Sequence, residues 1–167
     1  FLSAGQRCTC TRRLILLKNT QHQTLVEKVI AQAQRIIVNT PQIDQQACPP
    51  FMGPLINRQA AQQFENKLAS LTEQGASVLL NTRSLDSSGV YMTPAIVDVS
   101  GIANPVDEEI FAPLLQITYA DNFTHALELA NATRYGLAAG LLSDNPQEQE
   151  DFSNNINAGV ISINSPT

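Results

Sequence analysis

Apolar positions along this chain change spacing several times, and the changes outline alternating strands and helices. Residues 13–18, RLILLK, are apolar through their middle and predict a strand buried on both faces. Val26, Val29, Ile30, Ala33 and Ile37 recur at three- and four-residue spacing, which predicts an amphipathic helix over 24–38. A loop punctuated by Pro41, Pro49, Pro50, Gly53 and Pro54 follows. Asn57 is a good N-cap type. A helix from there to about Gln74 would bury Ala61, Phe64, Leu68 and Leu71, with Gly75 where a C′ glycine belongs.

Further along, strands are predicted over 78–80, 93–99, 114–119, 137–142 and 160–163. DSSG at 86–89 is a turn, and 101–105 is irregular. Helices are predicted over about 123–130 and from Asn145, an N-cap followed by proline, to about Asn155. Gly136 allows a turn from helix to strand, and Gly140 inside a strand marks a candidate for close backbone approach. Strands and helices alternate at crossover spacing, so the expected fold is α/β with a largely parallel sheet covered by helices. The 167 residues make one domain of ordinary size.

Composition narrows the function classes. Apolar residues are 43% and charged ones 15%, which excludes the highly charged, weakly hydrophobic class of disordered chains. The net charge is -5, and Arg7, Arg12 and Arg13 form the one basic cluster, so no nucleic-acid partner is expected. The apolar run at 14–17 falls far short of the roughly 20 residues that span a bilayer, so no membrane partner is expected either. No signal-peptide pattern opens the chain. Cys8, Cys10 and Cys48 are an odd number without a Cys-x-x-Cys pair, which reads as a reducing, cytoplasmic compartment. With His22 and His125 as the two histidines, no metal site is expected. A start at Phe1 without Met and an end at Thr167 just after an apolar segment suggest a piece of a longer protein.

The strongest chemical signal is FLSAGQRCTCTR at 1–12. Cys8 follows Gly5, with Gln6 and Arg7 between, which places a thiol on a tight turn. Arg7 and Arg12 nearby would favour the thiolate, the form that attacks a carbonyl carbon. By themselves Cys8 and Cys10 read more readily as small buried apolar residues.

The segment 1–12 resembles the cysteine signature of the aldehyde dehydrogenases, and the spacing after Gly-Gln maps Cys8, not Cys10, to the nucleophile. DEEIFAP at 107–113 resembles the family's Glu-Ile-Phe-Gly-Pro segment, with Ala112 in place of the usual glycine. NATRYGLAAG at 131–140, AGVISIN at 158–164, TPAIVDV at 93–99 and the stretch 52–56 follow in family order. The resemblance therefore covers essentially the whole chain. It implies the three-layer α/β/α catalytic domain of an enzyme that oxidises a small-molecule aldehyde to a carboxylate with NAD, through a cysteine thiohemiacetal and thioester. It implies Cys8 as nucleophile and its backbone N–H as an oxyanion donor. Glu109 would hold the nicotinamide ribose, and Phe111 would lie near the nicotinamide. Arg7 and Ser165 are the candidate substrate contacts.

The resemblance also implies parts that 1–167 lack: an upstream oxyanion asparagine, an upstream general-base glutamate in Glu-Leu-Gly-Gly, most of the cofactor domain and a downstream oligomerisation segment. No G-x-G-x-x-G occurs in the chain. NAD is not distinguished from NADP. The parent is expected to be a homo-oligomer, and the piece alone to be inactive and open to non-native dimerisation through exposed apolar surface. Two other readings stay open at this point. A Cys-His hydrolase or amidotransferase would need His22 or His125 beside Cys8. A non-catalytic α/β binding module would leave Asp107, Glu108 and Glu109 as a solvated acidic loop and Phe111 as ordinary core.

Overall fold

The computed structural model describes residues 1–40, 49–103 and 105–166, so Pro41 and Cys48 lie outside the described residues. The elements are a 3-10 turn at Leu2–Gly5, then β1 (Arg13–Leu17), α1 (His22–Gln34), α2 (Arg58–Glu73), β2 (Ser77–Leu80), β3 (Ala95–Asp98), β4 (Leu114–Ala120), α3 (Phe123–Asn131), β5 (Ala138–Leu141), α4 (Pro146–Asn155) and β6 (Val160–Ile163). Strands pair in the order β1-β4-β3-β2, and β5 pairs β6 separately. The chain divides into two compact units, 1–14 with 20–118 and 15–19 with 119–167. No helix among the described residues is long and apolar enough to cross a membrane.

The first unit is built on α2. Asn57 caps it, its side chain accepting from the Ala60 N–H at 2.8 Å, and Gly75 ends it at φ +106. Ala61, Phe64, Leu68 and Leu71 are buried as the periodicity requires. They share a core with Met52, Leu55, Met92, Ala95 and Val97 of β3, and Leu114 of β4. Burying side chains of this size contributes roughly 1.5–3 kcal/mol each. β3 and β4 are parallel, with Ala95 opposite Leu114 and Asp98 opposite Ile117. Ile96, Val97 and Ile117 are fully buried, as expected for central strands covered on both faces.

The sheet departs from the expected parallel order at β2, which is antiparallel to β3. A parallel return needs a crossover, usually a helix. Residues 81–94 instead fold back as a hairpin, with Ser84 and Met92 bridging antiparallel and Asp86 Oδ1 accepting from the Ser88 N–H at 3.1 Å. β1 differs too. It lies at the edge of the sheet, and only Leu16 is buried in it, so the expected burial on both faces does not hold. α1 stops at Gln34, short of the expected end. Val26 and Ala33 are its buried residues, and Val38 is buried outside the helix, bridging Met52 in parallel.

In the second unit β5, α4 and β6 form a parallel βαβ crossover, with Ala138 opposite Val160 and Leu141 opposite Ile163. Asn145 caps α4 by accepting from the Gln147 N–H at 3.0 Å, and Pro146 opens the helix. Gly136 is needed for close approach: a Cβ there would stand 2.7 Å from the Asn157 carbonyl oxygen. Val160 and Ile161 are exposed, so β6 is not covered as the pattern suggested.

Truncating Phe64, only 1% exposed, should be costly. Phe64→Ala is expected to lower the unfolding free energy of the first unit by about 3–5 kcal/mol, and Asn57→Ala by about 1 kcal/mol, in denaturant titrations.

Candidate active site

The thiol sits on two linked turns. Ser3, Ala4 and Gly5 all take positive φ, at 54, 54 and 69. This left-handed run is costly for Ser3 and Ala4. Hydrogen bonds from Ala4 N–H to Phe1 O and from Gln6 N–H to Ser3 O, both 3.1 Å, close it, and Ala4 is buried. The Cys10 N–H then donates to Arg7 O at 3.1 Å, making a second turn with Cys8 and Thr9 at its tip. Cys8 is exposed, and its thiol has no hydrogen-bond partner among the described residues. Cys10 is half-buried, and its Sγ donates to Leu2 O at 3.3 Å. The turn thus commits one sulfur to its own backbone and presents the other.

Gly5 is where this turn meets the 109–113 segment. A Cβ at residue 5 would lie 2.0 Å from the Ala112 oxygen and 2.5 Å from its carbonyl carbon, so only glycine allows the contact. Ala112, which replaces the glycine of the family pattern, is itself buried. Gln6 makes a second link. Its Nε2 donates to Pro54 O at 3.1 Å, and its Oε1 accepts from the Ile56 N–H at 2.8 Å. The sequence gives Gln6 no such role; its motif and the stretch 52–56 are 48 and 50 residues apart, and only the fold pairs them.

Arg12, expected from the sequence as a charge beside the thiol, is bonded to the backbone around it. Its guanidinium donates to the carbonyls of Ile110 at 3.0 Å, Arg7 at 2.9 Å, Cys10 at 3.1 Å, Gly5 at 3.4 Å and Cys8 at 3.5 Å. Its Nη1 also lies 3.3 Å from Glu109 Oε1, and its Cζ stands 4.5 Å over the Phe111 ring. The side chain is only 13% exposed. Arg7, by contrast, is exposed, and its side chain has no hydrogen-bond or ion-pair partner among the described residues.

Cys8, Glu109 and Phe111 are therefore joined through one side chain. Phe111 is 44% exposed, which sets aside the reading of it as core. Glu109 is paired with Arg12 and Glu108 with Lys67 at 2.7 Å, so these two acidic residues are not simply solvated. Ser165 lies in the second unit and is exposed. Neither histidine bonds to Cys8: His125 Nδ1 accepts from the Asp121 N–H at 3.3 Å, and His22 opens α1. Among the described residues no group of three or more His, Cys, Asp or Glu is placed to hold a metal.

The model of the aldehyde dehydrogenase family matches residues 1–167. The chain belongs to this family. It is 40% identical over 169 residues to an N-succinylglutamate 5-semialdehyde dehydrogenase of Hahella chejuensis, covering 99% of this chain and 33% of that protein. It is also 40% identical over 167 residues to N-succinylglutamate 5-semialdehyde dehydrogenase 2 of Caulobacter vibrioides, covering 100% of this chain and 33% of that protein. Among solved structures, lactaldehyde dehydrogenase from Escherichia coli superposes with a TM-score of 0.87 at 26% identity, over 99% of this chain and 34% of that one. The chain thus spans about a third of the length of the curated relatives it matches.

The contact at Gly5 yields a test with an internal control. Gly5→Ala is expected to cost on the order of 3 kcal/mol in denaturant unfolding, because backbone must move to admit the Cβ. Gly53→Ala should stay within about 0.5 kcal/mol, since nothing lies within 4 Å of a Cβ there.

Proposed function

We propose that this chain is the thiol-bearing catalytic part of an NAD(P)-dependent aldehyde dehydrogenase, with Cys8 as nucleophile. The observation that supports it best is the exposed Cys8 turn bound through Arg12 to a segment carrying a half-exposed aromatic ring and a carboxylate. That segment has the chemistry a nicotinamide nucleoside needs. A carboxylate accepts hydrogen bonds from ribose hydroxyls, and the half-exposed Phe111 ring offers an apolar face. Glu109 and Phe111 are the residues of this chain that would hold the cofactor, and the chemistry it supplies when bound is acceptance of hydride.

The chain's own part begins with the sulfur. Cys8 Sγ, as thiolate, adds to the aldehyde carbon and gives a thiohemiacetal. The Cys8 N–H, which the family resemblance implies as an oxyanion donor, is assigned as one donor to the oxygen that gains charge. Loss of hydride from that carbon leaves an acyl thioester on Cys8, and water then releases the carboxylate and frees the thiol. Activation of that water is assigned to the glutamate that the family resemblance puts upstream, so the isolated 167 residues are inactive.

The substrate we assign is N-succinylglutamate 5-semialdehyde, an intermediate of arginine catabolism. The names of the relatives at 40% identity support this. So does Arg7, an exposed cation next to Cys8 that suits a carboxylate of such a substrate.

The reading is tested in the complete protein by following NADH absorbance with this semialdehyde. Cys8→Ala is expected to lower turnover by roughly a thousandfold or more, and the 167-residue chain alone to give no NADH. Turnover that survives Cys8→Ala, or that the isolated chain supports, would contradict the proposal.

A further inference from the structure

We infer that Arg12 is a positioning residue for the reaction of Cys8: its guanidinium orients the peptide that carries the Cys8 N–H and ties the thiol turn to the 109–111 segment. This rests on the reading of Cys8 as nucleophile and of 109–111 as the cofactor-facing segment.

A guanidinium has five N–H donors in a fixed plane. Arg12 offers them to five carbonyls, those of Gly5, Arg7, Cys8, Cys10 and Ile110. Four of these belong to the turn and one to the segment opposite. The Arg7 carbonyl matters most, because it shares a peptide plane with the Cys8 N–H. In a trans peptide C=O and N–H point in opposite directions. Holding Arg7 O at 2.9 Å from the guanidinium therefore aims the Cys8 N–H away from Arg12, and that N–H has no hydrogen-bond partner among the described residues. The Cys10 N–H pulls on the same Arg7 carbonyl at 3.1 Å and reinforces that orientation.

The other end of the side chain sets the second segment. Ile110 O accepts from Nε, Glu109 Oε1 is ion-paired to Nη1, and the Phe111 ring lies beneath the guanidinium. One rigid group thus touches three consecutive residues of 109–111 as well as the thiol turn. A lysine would keep the charge, but its three donors radiate from one nitrogen and cannot reach five separated acceptors. The effect assigned to Arg12 is consequently geometric and does not survive replacement by another cation.

The test compares Arg12→Lys and Arg12→Gln with the parent chain by hydrogen–deuterium exchange resolved to peptides. Both variants are expected to exchange roughly tenfold faster at 6–10 and at 105–113, with α2 unchanged. Parent-like exchange in these segments, acceleration of one without the other, or equal acceleration in α2 overturns the inference. If Arg12→Gln fails to fold, the lysine variant decides alone. In the complete enzyme Arg12→Lys is expected to lower kcat on the order of a hundredfold while KM stays within a few-fold. A preserved kcat overturns this inference alone. Turnover by Cys8→Ala overturns the functional reading beneath it and leaves the exchange result standing.

Discussion

The missing Cβ at residue 5 sets how closely two distant stretches of chain can approach. Gly5 lies against the Ala112 carbonyl at a separation that any side chain would forbid. From that contact the rest of the site follows. The thiol turn and the 109–111 segment lie side by side, and the pocket of inward carbonyls between them needs a donor. A planar cation with several N–H groups suits such a gap better than water or an amide, because one rigid group satisfies many acceptors with little loss of freedom. Arg12 fills it.

A cation with so little of its side chain exposed is ordinarily a liability. Removing a guanidinium from water costs several kcal/mol, and a single ion pair does not reliably offset that. Here the cost is met from several directions: Glu109 supplies the opposite charge, the carbonyls supply dipoles, and Phe111 supplies an aromatic face. The arrangement also explains why the turn tolerates left-handed Ser3 and Ala4. Their strain is local, of about 1–2 kcal/mol per residue, while the bonds that hold the turn come from several surrounding groups.

Much of the fold was legible because several elements carried redundant signals. In α2 the periodicity, the Asn57 cap and the C-terminal Gly75 agreed, and all four expected core residues are buried. Asn145 with Pro146 was equally clear for α4. The misreadings in the sheet share a cause: they concerned partners rather than local preference. An apolar run such as RLILLK looks the same at an edge as in the middle of a sheet, and only the strand order puts β1 at the edge. Whether β2 runs parallel or antiparallel to β3 depends on whether 81–94 form a helix or a hairpin, and a stretch with DSSG at its centre already leaned towards the hairpin. At the site, the thiol and the DEEIFAP segment were visible as motifs. The bonds of Gln6 to 54–56 and of Arg12 to Ile110 were not, because nothing along the chain marks residues that meet across 48 to 98 positions.

The two arginines that flank the thiol make the same point about what a residue type alone conveys. Arg7 and Arg12 have equal charge and lie close to Cys8 in sequence, so on charge alone they are interchangeable. Burial separates them. The exposed Arg7 keeps its hydration and its freedom, and an exposed cation can exchange water for an incoming carboxylate at little cost. Arg12 has already exchanged its water for carbonyls and a carboxylate, so a substrate anion would have to displace bonds that hold the turn. Under the proposed function, binding falls to Arg7 and positioning to Arg12, two side chains of one kind. The division follows from which guanidinium the Gly5 contact encloses.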